Sequence, residues 1–175
     1  ADDIHFPDML QAAFVRSPMS HAHIKSIDAT AARAQPGVRA VLTMADIAPH
    51  LTSDRLSVGM PSKAYQQLRD RPILADKEVC HVGEPVAVVI ADDRYIAEDA
   101  AALVEIDYDI LPASADAEAA ARTGSPLAHS DAEHNILAEF NMGYGDTDAA
   151  FAAAPHTFGD KFAVHKGLGM AIEGR

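Results

Sequence analysis

The stretch GEPVAVVIADDRYIAEDAA, residues 83–101, decides how the rest of the chain is read. Val86 to Ala91 is an unbroken apolar run with the length and β-branched content of a buried strand. Asp92 and Asp93 follow at once, and either offers a side-chain oxygen to the free amides at the start of a helix. Ile96, Ala100 and Leu103 then recur at i, i+4 and i+7, the spacing of one helix face. Dinucleotide sites begin with the same strand-to-helix order. They also need glycines between strand and helix, because only a residue without Cβ lets the backbone close on a pyrophosphate. The junction here is Ala91-Asp92-Asp93-Arg94, with no glycine and with two carboxylates where a phosphate would lie. Gly83 and Glu84 precede the strand, and neither GYGDTD (143–148) nor GLGMAI (167–172) completes the glycine pattern. The stretch is architecture rather than a phosphate site.

Working outward, Met9 to Arg16, His21 to Ile27 and Val38 to Thr43 read as strands. A short helix capped at Asp28 or Thr30 runs to Gln35 and stops at Pro36-Gly37. Asp46 begins another helical turn that ends near Pro49. Val79 to Val82 is a further strand, and Pro85 marks an edge or a bulge ahead of the long apolar run. Val104 to Asp109 alternates with period two, so Asp107 and Asp109 fall on a solvated face. Residues 113–126 give a capped helix and a Gly/Ser/Pro linker; Ile136 to Met142 and His156 to Val164 read as strands around a helix from Asp146 to Ala153. Strand, acidic cap, alanine-rich helix and strand thus recur after Ile27, Ile90 and Met142. The expected class is α+β, with short helices packed on a mixed sheet. Residues 50–72 show no sustained period and are expected to form a mobile loop.

Composition narrows the function classes. A net charge of -12 repels a nucleic-acid backbone and an anionic membrane alike, so nucleic acid is not an expected partner. No apolar run reaches about 18 residues, so no membrane span is expected. The single cysteine, Cys80, excludes an internal disulfide or an all-cysteine metal site and fits a reducing, cytoplasmic compartment. Within its apolar surroundings Cys80 reads as a small buried side chain without a local partner for nucleophilic catalysis. The chain starts at Ala1 without a methionine and stops at Gly174-Arg175, as a piece of a longer protein would.

Nine histidines raise a metal hypothesis. His21-Ala22-His23 puts two rings on one strand face, with a third ligand available from His5, His129 or His134. The H-E-x-x-H and G-x-S-x-G patterns are both missing, and no carboxylate pair stands apart from the general acidity. On these residues alone the expectation is no catalytic, cofactor-binding or metal-binding residue. Glu84 reads as a solvent-exposed turn residue, with a contact to a neighbouring domain as the alternative.

Four stretches together carry a resemblance: DDIHFPDMLQAAFVRSP (2–18), HAHIKSIDATAARAQPGVRAVLTMADI (21–47), VGEPVAVVIADDRYIAEDAAALVEIDYDILPA (82–113) and GDTDAAFAAAPHTFGDKFAVHKGLGMAIEGR (145–175). Their order and spacing resemble the amino-terminal part of molybdenum hydroxylase large subunits. That group includes aerobic carbon monoxide dehydrogenase, xanthine dehydrogenase and aldehyde oxidase, and the matching region is the α/β hammerhead domain. The resemblance implies a hammerhead core over 1–124, then a linker and the start of the molybdenum-binding region over 125–175. It also implies that molybdopterin is bound by segments beyond this domain, with iron–sulfur clusters and FAD in partner subunits or domains. The domain itself would be structural, packing against the molybdenum-binding domain. Relatives carry a histidine after R-S-P and an arginine before the isoleucine, where this chain has Met19 and His23 and keeps His21. They carry P-G where it has Pro7-Asp8, and a proline where it has Gly174. Whether Glu84 or His21 touches another domain stays open on the sequence, as do the readings as a free-standing acidic interaction module or a histidine-based metal carrier.

Overall fold

The apolar run becomes β7 (Pro85–Ala91), the middle strand of a three-stranded sheet, with Val86, Ala87, Val89 and Ala91 buried. The structure, a computed structural model, describes residues 4–57, 62–67 and 69–164. β7 pairs antiparallel with β1 (Gln11–Arg16) on one side and with β3 (Val38–Thr43) on the other. Pro85, which has no N–H to give a ladder, faces Arg16 just past a bulge at Val15/Arg16. A second antiparallel sheet has the order β6 (Glu78–Val79), β2 (Ala22–Asp28), β8 (Glu105–Ile110).

The strand–helix–strand units run between these sheets and do not return to the sheet they left. β2 leads through α1 (Thr30–Arg33) to β3, and β7 leads through α3 (Arg94–Ala101) to β8. A parallel pair forms when a crossover returns to its own sheet. Here neither crossover does, so every described ladder is antiparallel, and the mixed sheet read from the sequence is corrected to an antiparallel one. Two buried clusters fill the fold: Ala29, Ala32, Val41, Val89, Ala100 and Val104 form one, and Ala22, Ala75, Val79 and Val86 the other. Ile27 and Ile106 pack against both.

Helix α3 buries Ala97 and Ala100, while Ile96 is half-buried and Leu103 lies exposed beyond the helix end. Alanine carries no long side chain to hold the helix away from the sheet, so the buried face is turned one residue from the one expected. α2 (Met44–Ile47) starts two residues before Asp46, which instead folds back on the helix start, and a 3-10 turn over Ala48–His50 follows. α4 (Ala117–Ala120) and α5 (Thr147–Ala153) are short and capped as read from the sequence.

The loop over 50–72 contains two short strands, β4 (Arg55–Leu56) and β5 (Arg71–Pro72), paired antiparallel. Residues 64–67 are tied to 134–139: Tyr65 bridges Ala138, Gln66 N–H donates to Leu137 O (2.9 Å), and Gln67 Nε2 donates to Ile136 O (2.8 Å). Accordingly one compact unit runs over Pro7–Glu139, past the boundary after 124 that the sequence placed, and the remaining residues form another. The strands expected at 136–142 and 156–164 do not form, apart from the single bridge at Ala138. Alternation alone makes no strand without a neighbouring ladder, and every described residue from 140 to 164 is exposed. The alternating face expected from Phe162 to Ile172 lies, beyond Val164, outside the described residues. No helix among the described residues is long and apolar enough to cross a membrane.

Two backbone positions fix turns. Asp8 has φ 60, the left-handed region that favours glycine. Gly37 has φ +84, and a Cβ there would lie 2.7 Å from Ile96 Cδ1. Its carbonyl accepts from Asp92 N–H (2.9 Å), and Arg39 clamps the Asp92 carboxylate at 2.6 and 3.0 Å. Gly37→Ala is expected to cost about 1–2 kcal/mol from the left-handed backbone alone, as Ile96 can rotate away; a urea melt measures it.

The Asp46 carboxylate accepts from Thr43 N–H (2.7 Å) and Thr43 Oγ1 (2.8 Å). The backbone bond first, then the hydroxyl, holds its pKa below the ordinary value. A lowered folded-state pKa gives stability that is present above the unfolded value and lost as pH falls through the folded one. Stability is therefore expected to decline below about pH 4, and Asp46→Asn to flatten that decline in acid melts.

Candidate functional site

The antiparallel register of β2 on β6 sets the main polar cluster. Ala22 faces Val79 and His23 faces Glu78, so His21 and Cys80, one residue further along each chain, meet at the end of the ladder. Residues two apart on a strand share a face, which places Glu78 beside Cys80. One donor atom each from His21, Glu78 and Cys80 lies within 4.8 Å of the others. The segment at 129–131 lies over this face: His129 Nδ1 stands 3.1 Å from Cys80 Sγ, and Ser130 N–H donates to Glu78 Oε1 (2.9 Å). Arg69 holds the segment from the side through Asp131 at 2.8 Å.

His21 is buried, with 5% of its surface exposed. Its Nδ1–H donates to Pro112 O (3.0 Å) and its Nε2 faces Glu78 Oε1 at 2.8 Å. Burial pulls against the Glu78 carboxylate, yet its bonds from His21 and Ser130 leave its pKa lowered. Burial, reinforced by Glu78 and Glu84, pushes the Cys80 thiol up to about 12. Burial and then Arg69 lower the pKa of His129. Cys80 is half-buried, where the sequence read a small buried side chain without a local partner, and its contact with His129 spans 49 residues.

Glu84 is buried, not the exposed turn residue expected. Gly83 at φ +89 folds the turn back so that Glu84 Oε2 accepts from Cys80 N–H at 2.6 Å. The turn is pinned to the end of β1 by Gly83 N–H to Ser17 O (2.7 Å) and Ser17 N–H to Glu84 O (2.9 Å). His23 is exposed and reaches Ser130 Oγ at 3.4 Å, so the His21/His23/His5 grouping does not come together. His134 supplies its carbonyl to Gln67 and stands apart from the cluster. Asp107 and Asp109 are exposed, as read, with Lys25 Nζ 3.8 Å from Asp107. An open cavity of about 650 Å³ leads to the cluster, lined by Glu78, Cys80, Glu84 and His129 together with Arg55 and Arg69.

Each described α-helix has a carboxylate on the amides at its start: Asp28 on Thr30 (2.8 Å), Asp46 on Thr43 (2.7 Å), Asp93 on Ile96 (2.9 Å), Asp116 on Ala119 (2.8 Å) and Asp146 on Ala149 (2.9 Å). These are the amides that a bound phosphate would use. At each described helix start one of those amides is therefore already taken.

The fold is that of an antiparallel α+β domain. The family description "aldehyde oxidase and xanthine dehydrogenase, a/b hammerhead domain" matches residues 1–112. The chain is 40% identical to the 6-hydroxypseudooxynicotine dehydrogenase complex subunit gamma of Paenarthrobacter nicotinovorans, over 100% of this chain and 22% of that one. Among solved structures it is similar to quinoline 2-oxidoreductase from Pseudomonas putida (TM-score 0.78, 36% identity, 89% of this chain and 19% of that one). It is also similar to a Cu,Mo-CO dehydrogenase (TM-score 0.70, 39% identity, 88% and 20%). The chain belongs to the aldehyde oxidase and xanthine dehydrogenase hammerhead family, and it spans about a fifth of the relatives it matches.

Glu84→Ala leaves the Cys80 amide without its charged acceptor and is expected to cost about 2–3 kcal/mol, with Glu84→Gln retaining part of that through its amide oxygen. Thermal melts of the two variants against the parent chain test this order.

Proposed function

We propose that this chain serves as the hammerhead domain of the large subunit of a molybdenum-containing, molybdopterin-dependent hydroxylase or dehydrogenase working in the cytoplasm. It carries no catalytic residue and no molybdopterin ligand of its own. Its task is to pack against the molybdenum-binding domain of the same subunit, within an assembly whose other subunits or domains hold iron–sulfur clusters and FAD. One observation carries the packing role. Phe140, Met142, Tyr144, Phe151, Phe158, Phe162 and Val164 are all exposed on the segment from 140 to 164. Burying one large apolar side chain contributes roughly 1.5–3 kcal/mol, so a segment with seven of them in water calls for a covering surface. Family membership supports the rest of a large subunit as that surface, since this chain spans about a fifth of the relatives named above.

Molybdopterin would bring the redox chemistry when bound elsewhere in that subunit. The chain's own residues hold the sheets and the β6 edge in shape and offer no group to the reaction. The purified chain is expected to contain no molybdenum, flavin or iron–sulfur cluster by elemental analysis and absorption spectroscopy. Stoichiometric molybdenum or a cluster band in this chain alone overturns the proposal. A longer chain that continues into the molybdenum-binding region is expected to acquire molybdenum, and Phe158→Glu with Phe162→Glu to reduce that loading.

A further inference from the structure

We propose that His21, Glu78, Cys80 and His129 form a four-coordinate site for a zinc ion at the edge of the β6–β2–β8 sheet. This site is distinct from any molybdenum chemistry and uses a different ligand set from the His21/His23 pair that the sequence put forward. Three donor atoms from two strands already lie within 4.8 Å of one another, and His129 Nδ1 stands 3.1 Å from the sulfur. Two imidazoles, a thiolate and a carboxylate make a donor set that suits zinc, and their two negative charges balance the ion.

The hydrogen bonds of His21 point the same way. Its Nδ1–H is committed to Pro112 O, which fixes the ring and turns Nε2 toward Glu78 Oε1 at 2.8 Å. A proton on Nε2 joins that pair in the free chain, and a metal ion can take the proton's place. A backbone carbonyl on the far nitrogen is also what orients a metal-bound histidine. Tetrahedral ligands on zinc stand roughly 3.4 Å apart, given bond lengths of about 2.0–2.3 Å. The His21–Glu78 and Cys80–His129 separations of 2.8 and 3.1 Å would open by roughly 0.6 and 0.3 Å, the first by a rotation of the flexible Glu78 side chain and the second by a shift of His129, whose neighbours Ser130 and Asp131 are exposed.

The surrounding charge is suited to a cation. Asp54, Asp70, Asp76, Glu84 and Asp131 line the cavity beside the cluster and outnumber its Arg55, Arg69 and Lys77. A divalent ion bound there displaces the thiol proton and is held by the thiolate directly. The open cavity of about 650 Å³ gives the ion its entry path.

The test uses the full chain, stripped with a chelator and titrated with Zn2+ alone by calorimetry, and with Co2+ followed by absorption. One ion per chain is expected, together with a thiolate-to-cobalt charge-transfer band and protection of Cys80 from alkylation by bound zinc. Cys80→Ser and His129→Ala are each expected to weaken zinc binding by at least about tenfold, with His156→Ala unchanged. Lack of saturable binding at one ion per chain, a cobalt spectrum without the thiolate band, or a Cys80→Ser variant that binds zinc as before overturns the site. If the variants do not fold, alkylation of Cys80 in the parent chain with and without zinc decides alone, and equal rates overturn it. None of these readouts involves molybdenum, so they stand or fall apart from the proposed function.

Discussion

Everything in the Pro7–Glu139 unit depends on β7 as the shared middle strand. Its Ala87, Val89 and Ala91 face is buried and the opposite face partly so, it pairs with β1 and β3, and its ends hold two turns that organise the unit. At its start, the 80–84 turn is pinned to Ser17 and carries Glu84 back onto Cys80. At its end, Asp92 joins the Pro36-Gly37 turn through Gly37 O and Arg39. Because the crossovers from β2 and β7 pass to the opposite sheet, one helix-and-strand step stitches the sheets together each way, and Ile27 and Ile106 seal the seam.

That wiring separates the strand–helix junctions, and their caps leave fewer free amides for a phosphate. A doubly wound sheet leaves its helix starts open along a common edge, where a ligand can reach the free amides. Here the junctions lie on different sheets, and each start is satisfied by its own aspartate. Such a cap stabilises a short helix and removes the anion site in the same stroke. An acidic chain gains helix ends in this way at the expense of any affinity for a pyrophosphate.

The polar cluster on β6 has a different origin. An edge strand presents unpaired backbone and must be covered. The chain covers it with the 129–131 segment, which brings His129 and Ser130 onto Cys80 and Glu78. Covering an edge with polar groups in a partly dry setting concentrates ligand-type atoms where one cation satisfies several of them at once.

The sequence by itself determined the elements whose signals are local. β7, the Asp93, Asp116 and Asp146 caps, the stop at Pro36-Gly37 and the period-two face of β8 all follow from residues within a few positions of one another. Tertiary structure decided what depends on distant partners. The sheets are antiparallel because of where each crossover lands, and no periodicity encodes that. Glu84 is buried because a positive φ at Gly83 aims it inward, and the strands read at 136–142 and 156–164 fail because no ladder stands beside them. The Cys80–His129 contact, 49 residues apart, exists only through the closing of the 129–131 segment over β6. A hydrogen-bonding or metal-ligating constellation is a property of the register between strands, and single residues carry no record of it.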